Sequence, residues 1–73
     1  MIDKGKLVVL LRSRLGERLT VPQINRLADR LIELDHPTQG EMEEISQDIT
    51  GTRLIVESLD IDDIITILDQ ARE

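Results

Sequence analysis

The sequence predicts an all-α fold, a compact bundle of four clear helices and one short one. Three observations carry that expectation. Apolar residues recur at helical spacing in separate windows, Gly and Pro fall where those windows start or stop, and capping residues stand at their beginnings. The expected helices cover about residues 4–15, 20–35, 39–50, 53–58 and 61–72, in one domain spanning 1–73.

Asp3 is placed to cap the first helix, whose Leu7, Val8, Leu11 and Leu15 share a face, and Gly16 to end it in a left-handed conformation. The second opens on Thr20-Val21-Pro22-Gln23, a capping box with Pro in the first turn, and Leu19 with Ile24 forms the matching hydrophobic staple. Its stripe of Ile24, Leu27, Ala28, Leu31 and Leu34 or Ile32 ends near Asp35, because Pro37 pushes His36 out of the helical region. Thr38-Gln39-Gly40-Glu41 repeats the capping box. Met42, Ile45 and Ile49 then make one apolar stripe that Gly51 closes.

Thr52 to Ser58 is ambiguous, since its β-branched residues suit a strand while Leu54, Ile55 and Leu59 also suit a short helix. The helix is favoured, because a lone strand would have no partner for its backbone groups. Asp60-Ile61-Asp62-Asp63 opens the last helix with carboxylates at the positive end of its dipole. Leu59 is placed to staple to Ile64, and Ile61, Ile64, Ile65, Leu68 and Ala71 are the expected buried face.

Length and composition narrow the function classes. Leu, Ile and Val make up 25 of the 73 residues, enough for a packed core, yet a chain this short buries little surface and has no Cys to staple it. Self-association gains weight from this. The longest apolar run, Leu7 to Leu11, is too short to span a membrane, and the N-terminus does not read as a signal peptide, so an intracellular, cytoplasmic location without a membrane partner is expected. A net charge of −6 argues against non-specific nucleic-acid binding. That charge is unevenly spread: residues 1–36 balance to +2 and residues 37–73 to −8. Such polarity suits a head-to-tail contact with another protein or a second copy; the alternative is two solvated faces.

Residues able to carry chemistry are sparse, and no enzyme activity, metal or cofactor is expected. Asp60, Asp62 and Asp63 lack the turn glycine of a calcium loop, and Ala71 stands where its bidentate Glu belongs. His36, the sole histidine, sits at a helix C-terminus, where a capping or surface role suffices. Glu41, Glu43, Glu44 and Asp48 read as a solvated acidic face rather than paired catalytic carboxylates. One alternative is a small DNA-binding regulator with a helix-turn-helix from helices two and three. It is opposed by the acids opening the recognition helix and the absence of aromatics. Another is an acyl-carrier-like protein, since Glu57-Ser58-Leu59-Asp60 resembles the attachment motif of that family; Ser58 reads more simply as a residue at a helix start.

Leu7-Val8-Val9-Leu10-Leu11 and Ile64-Ile65-Thr66-Ile67-Leu68 are more apolar than one buried stripe requires, which fits either a central helix or an intermolecular contact. The candidate protein-binding residues are a basic set, Lys6, Arg12, Arg14, Arg18, Arg26 and Arg30, and an acidic set, Glu41, Glu43, Glu44, Asp48, Asp62 and Asp63.

The stretch from Leu7 through Asp35, with Leu19-Thr20-Val21-Pro22-Gln23-Ile24 opening the second helix, resembles the start of death-like helical adaptor domains, including effector-associated domains of bacterial conflict systems. Leu54-Ile55-Val56-Glu57 followed by Leu59-Asp60-Ile61-Asp62-Asp63-Ile64-Ile65 looks like their last two helices. The bundle is expected to be death-like or a simple orthogonal one, and the resemblance implies a homotypic adaptor that recruits effectors through charged surfaces without catalysis. The chain departs from the pattern in being shorter than a six-helix death fold and in lacking core aromatics.

Overall fold

Capping chemistry sets where the helices begin. The computed structural model describes residues 1–72, and in it α1 (Lys4–Leu15), α2 (Val21–Leu34), α3 (Gln39–Thr50), α4 (Leu54–Ser58) and α5 (Ile61–Ala71) follow one another, with a 3-10 turn at Gly16–Arg18. These bounds lie within one residue of the expected ones. The Asp3 carboxylate accepts the Lys6 backbone N–H at 3.1 Å to start α1. Both capping boxes close reciprocally. Thr20 Oγ1 accepts from the Gln23 N–H while Gln23 Oε1 accepts from the Thr20 N–H, and Thr38 with Glu41 does the same. Asp60 caps α5 by accepting the Asp63 N–H at 2.9 Å.

The ambiguous segment is helical from Leu54, and its start is stabilised from another element. Arg53, at the N-cap, makes no side-chain cap bond. Ser46, fully buried on α3, accepts the Ile55 N–H at 3.1 Å and donates to the Thr52 carbonyl at 2.8 Å. It therefore satisfies one of the amides that every helix N-terminus leaves without an intrahelical partner.

The core follows the i, i+3, i+4 spacing of each helix: Leu7, Leu11 and Leu15 on α1, Ile24, Leu27, Ala28 and Leu31 on α2, Met42, Ile45 and Ile49 on α3. Ile55 and Leu59 add the α4 contribution. Helix α1 packs against α2 and α5, α2 against α3, and α3 against α4. The shortest Cα extent, 17 Å, corresponds to two layers of helices at ordinary packing distance.

Three local expectations need correction. On α5 the buried residues are Ile64, Ile67, Leu68 and Ala71, whereas Ile65 is 45% exposed. A single stripe at i, i+3, i+4 and i+7 already fills the groove against α1, and Ile65 lies about 100° around the helix from Ile64. Gly16 has positive φ, as expected, but its ψ of −133° lies outside the left-handed helical region, and the chain continues into the 3-10 turn; Gly51, at φ 68° and ψ 11°, is the left-handed cap. Ser58 ends α4 instead of starting a helix, and Asp60 is the N-cap of α5.

Two tertiary features close the bundle. The Asp3 N–H donates to the Ala71 carbonyl at 2.8 Å and Ile2 pairs with Arg72, which ties the start of the described chain to the end of α5. Asp35 ends α2 at φ 63° and ψ −47°, and the His36 N–H reaches the Leu34 carbonyl at 2.6 Å. This is a γ-turn in the strained, positive-φ form. Pro37 excludes His36 from the helical region, so the helix has to end before it.

Candidate functional site

The candidate basic and acidic residues divide into two classes once the helices are packed. Some neutralise each other inside the molecule. Arg14 on α1 meets Asp63 at the start of α5 at 3.1 Å, and Arg30 on α2 meets Asp48 on α3 at 3.1 Å. Glu43 is held by Arg53 through two contacts of 2.7 and 3.1 Å, and Glu41 serves the capping box of α3. The three ion pairs join neighbouring elements at the surface and Glu41 closes the start of its own helix, so these residues are only partly available to a partner.

The remainder keeps the charge polarity of the sequence. Among the described residues Lys6, Arg12, Arg18 and Arg26 form no ion pair, and all four are exposed on α1, the 3-10 turn and α2. In the second half both cations are engaged, Arg53 with Glu43 and Arg72 with Asp35 and Asp69, while Glu44 and Asp62 are exposed without an ion pair. Pairing thus consumes cations where they are scarce and leaves unmatched acid on α3 and α5.

Exposed apolar side chains single out two stretches of this surface. Val9, 66% exposed, lies on the side of α1 opposite Leu7 and Leu11, with Lys6 and Arg12 one turn away on either side. Next to it a shallow depression is lined by Asp3, Gly5, Lys6, Val9 and Leu10 together with Gln70 of α5. Ile65 on α5 has Asp62 one turn before it and Asp69 one turn after. The outer side of α3 has another shallow depression, lined by Glu43, Glu44, Gln47 and Asp48 and devoid of apolar side chains. The excess of apolar residues at Leu7–Leu11 and Ile64–Leu68 was legible in the sequence. Which of them stay outside depended on the packing.

A third cluster surrounds the strained turn. Arg72 donates to the Asp35 carboxylate at 2.6 Å and to the Asp35 carbonyl at 3.0 Å, and His36 Nδ1 lies 2.9 Å from the same carboxylate. The hydrogen bond from Arg72 holds the Asp35 carboxyl below its ordinary pKa, against a partial desolvation that raises it; the Arg72 and His36 charges act in the same direction as the bond. Arg53 likewise lowers Glu43 through its hydrogen bonds, again opposed by partial burial. Arg72 and Arg53 are raised reciprocally, each first by the bond to its carboxylate. Nothing in the sequence near Asp35 signals Arg72, which is 37 positions away.

Chemically, the described surface offers charge and apolar contact. No three His, Asp or Glu side chains among the described residues converge with metal-binding geometry, and Ser58 is half-buried at the end of α4. No helix among the described residues is long and apolar enough to cross a membrane. No protein-family model, curated protein or solved structure matches the chain significantly.

Proposed function

We propose that this chain is a non-catalytic protein-interaction module, an adaptor or regulator that associates through charge-polarised surfaces and binds copies of itself. The observation that carries the reading is the unmatched charge left after intramolecular pairing among the described residues, an excess of cations on α1 and α2, where Glu33 is also unpaired, against carboxylates on α3 and α5. Opposite fields on one small body steer encounter and fix orientation between like molecules. The exposed Val9 supports the same reading, since it supplies the apolar contact that charge alone lacks. Resemblance to death-like adaptor domains extends the proposal to homotypic recruitment of effectors in a bacterial conflict system, inside the cell.

Sedimentation velocity across a concentration series, at ionic strengths of about 0.05 M and about 0.5 M, tests the proposal, because raising the salt shortens the Debye length severalfold. Association at low salt that weakens at high salt is the expected result. A monomer under both conditions that also captures no protein from its native lysate would refute it.

A further inference from the structure

The four exposed large apolar side chains among the described residues are Met1, Val9, Val21 and Ile65. Two of them have charge of one sign one turn before and one turn after them along their own helix, and the two signs are opposite. Around them, Asp3 and Glu17 line the depressions beside Val9, and Arg72 and His36 line the one beside Ile65. Along the outer side of α1 run Lys6, Val9 and Arg12; along the outer side of α5 run Asp62, Ile65 and Asp69. At a rise of 1.5 Å per residue the two cations stand ~9 Å apart and the two carboxylates ~10.5 Å apart, so the stripes match in length as well as in order.

We propose that the α1 stripe of one copy docks on the α5 stripe of a second copy, Val9 against Ile65, with Lys6 and Arg12 facing Asp62 and Asp69. This rests on the self-association reading above and names its surface. The acidic face of α3 is the weaker candidate for the same role. Its Glu43 and Asp48 already hold Arg53 and Arg30, and it presents no exposed apolar residue. On α5, Asp62 forms no ion pair among the described residues, and Asp69 meets Arg72 only at 3.4 Å, so both carboxylates retain capacity for an incoming cation. Gly5 and Ser13 flank Val9 on the same side of α1, and the missing and the small side chain there let a second helix approach. Because the two stripes are different surfaces, the contact is heterologous. Each molecule keeps one free stripe of each kind, and growth proceeds to a ring or an open chain.

The test uses two single variants at exposed positions, Val9→Glu and Ile65→Gln, each checked for native helicity by circular dichroism. Val9→Glu sets a carboxylate against Asp62 and Asp69, and Ile65→Gln removes the apolar anchor. Each alone should weaken self-association by on the order of tenfold or more. Mixed in equal amounts they should form a one-to-one dimer and nothing larger, because the mixture has one intact α1 stripe and one intact α5 stripe. Wild-type association that persists unchanged in both variants overturns the assigned surface and leaves the broader homotypic reading standing. Variants that weaken association yet form no dimer when mixed overturn the pairing of α1 with α5. A wild type that stays monomeric overturns both the surface and the homotypic reading, and the interaction-module reading is then decided by capture of a different protein.

Discussion

Replacing Ser46 by Ala should destabilise the bundle far more than the loss of one small polar atom suggests. Its hydroxyl accepts the Ile55 N–H at 3.1 Å and donates to the Thr52 carbonyl at 2.8 Å, in a position closed to solvent. After truncation the Thr52 carbonyl still has the Thr50 hydroxyl at 3.1 Å, a donor it shares with the Ser46 carbonyl at 2.8 Å. The Ile55 amide keeps no partner. It lies in the first turn of α4, where no intrahelical carbonyl reaches it, and Ile55 is fully buried. A buried donor left without an acceptor costs about 1–3 kcal/mol. A chain of 73 residues has a total stability of roughly 4–11 kcal/mol, so this is a large fraction of it. At about 4–8 °C per kcal/mol for a domain of this size, a central loss of about 2 kcal/mol lowers Tm by roughly 8–16 °C. Thermal unfolding followed by circular dichroism reads the shift. The exposed Thr66→Ala, on α5, serves as a control expected to stay within about 0.5 kcal/mol of wild type. If Ser46→Ala melts with the control, the hydroxyl does not cap α4 in solution and the reasoning is wrong.

Further outcomes follow from the same geometry. Gly51→Ala forces a Cβ into a left-handed conformation with no neighbour within 4 Å to clash with, so only the backbone penalty of about 1–2 kcal/mol applies, measurable as a shift in the urea midpoint. Thr20→Ala opens the α2 capping box and should cost about 1 kcal/mol in the same assay; an unchanged midpoint would mean the box does not persist. Asp35 and Glu43 have lowered folded-state pKa values, so the unfolded chain binds their protons first as the pH falls. Their stabilisation is complete well above the ordinary carboxylate value of about 4 and disappears as the pH drops through the lowered values. Stability should therefore decline on acidification, and Asp35→Asn should flatten that decline in urea midpoints taken from neutral pH downward; an equally steep decline would deny Asp35 a share. The exposed pair Arg14–Asp63 should matter little to the fold: Arg14→Gln is expected to change stability by less than about 1 kcal/mol, and a larger loss in urea unfolding would show that the seam between α1 and α5 depends on it.

Helix boundaries were readable because the interactions that set them act over three or four residues. Asp3 with Lys6, Thr20 with Gln23, Thr38 with Glu41 and Asp60 with Asp63 each join a side chain to an amide one turn away. Gly51 and Pro37 punctuate by their own dihedral limits, which no distant residue alters. The buried stripes of α2 and α3 were equally legible, since spacing alone selects one face.

Tertiary structure decided the rest. It exposed Ile65 and buried Ile67, because a helix with apolar residues around most of its circumference leaves the choice of buried face to the neighbour it packs against. It made Ser46 the cap of α4 and joined Arg72 to Asp35 across 37 positions. It also sorted the charges, setting Arg14 and Arg30 against carboxylates of the same molecule while leaving Lys6 and Arg12 beside Val9. A side chain's partner within one helical turn follows from the chain's own geometry; a partner on another helix follows from how the helices cross, and that is settled only when the whole core packs.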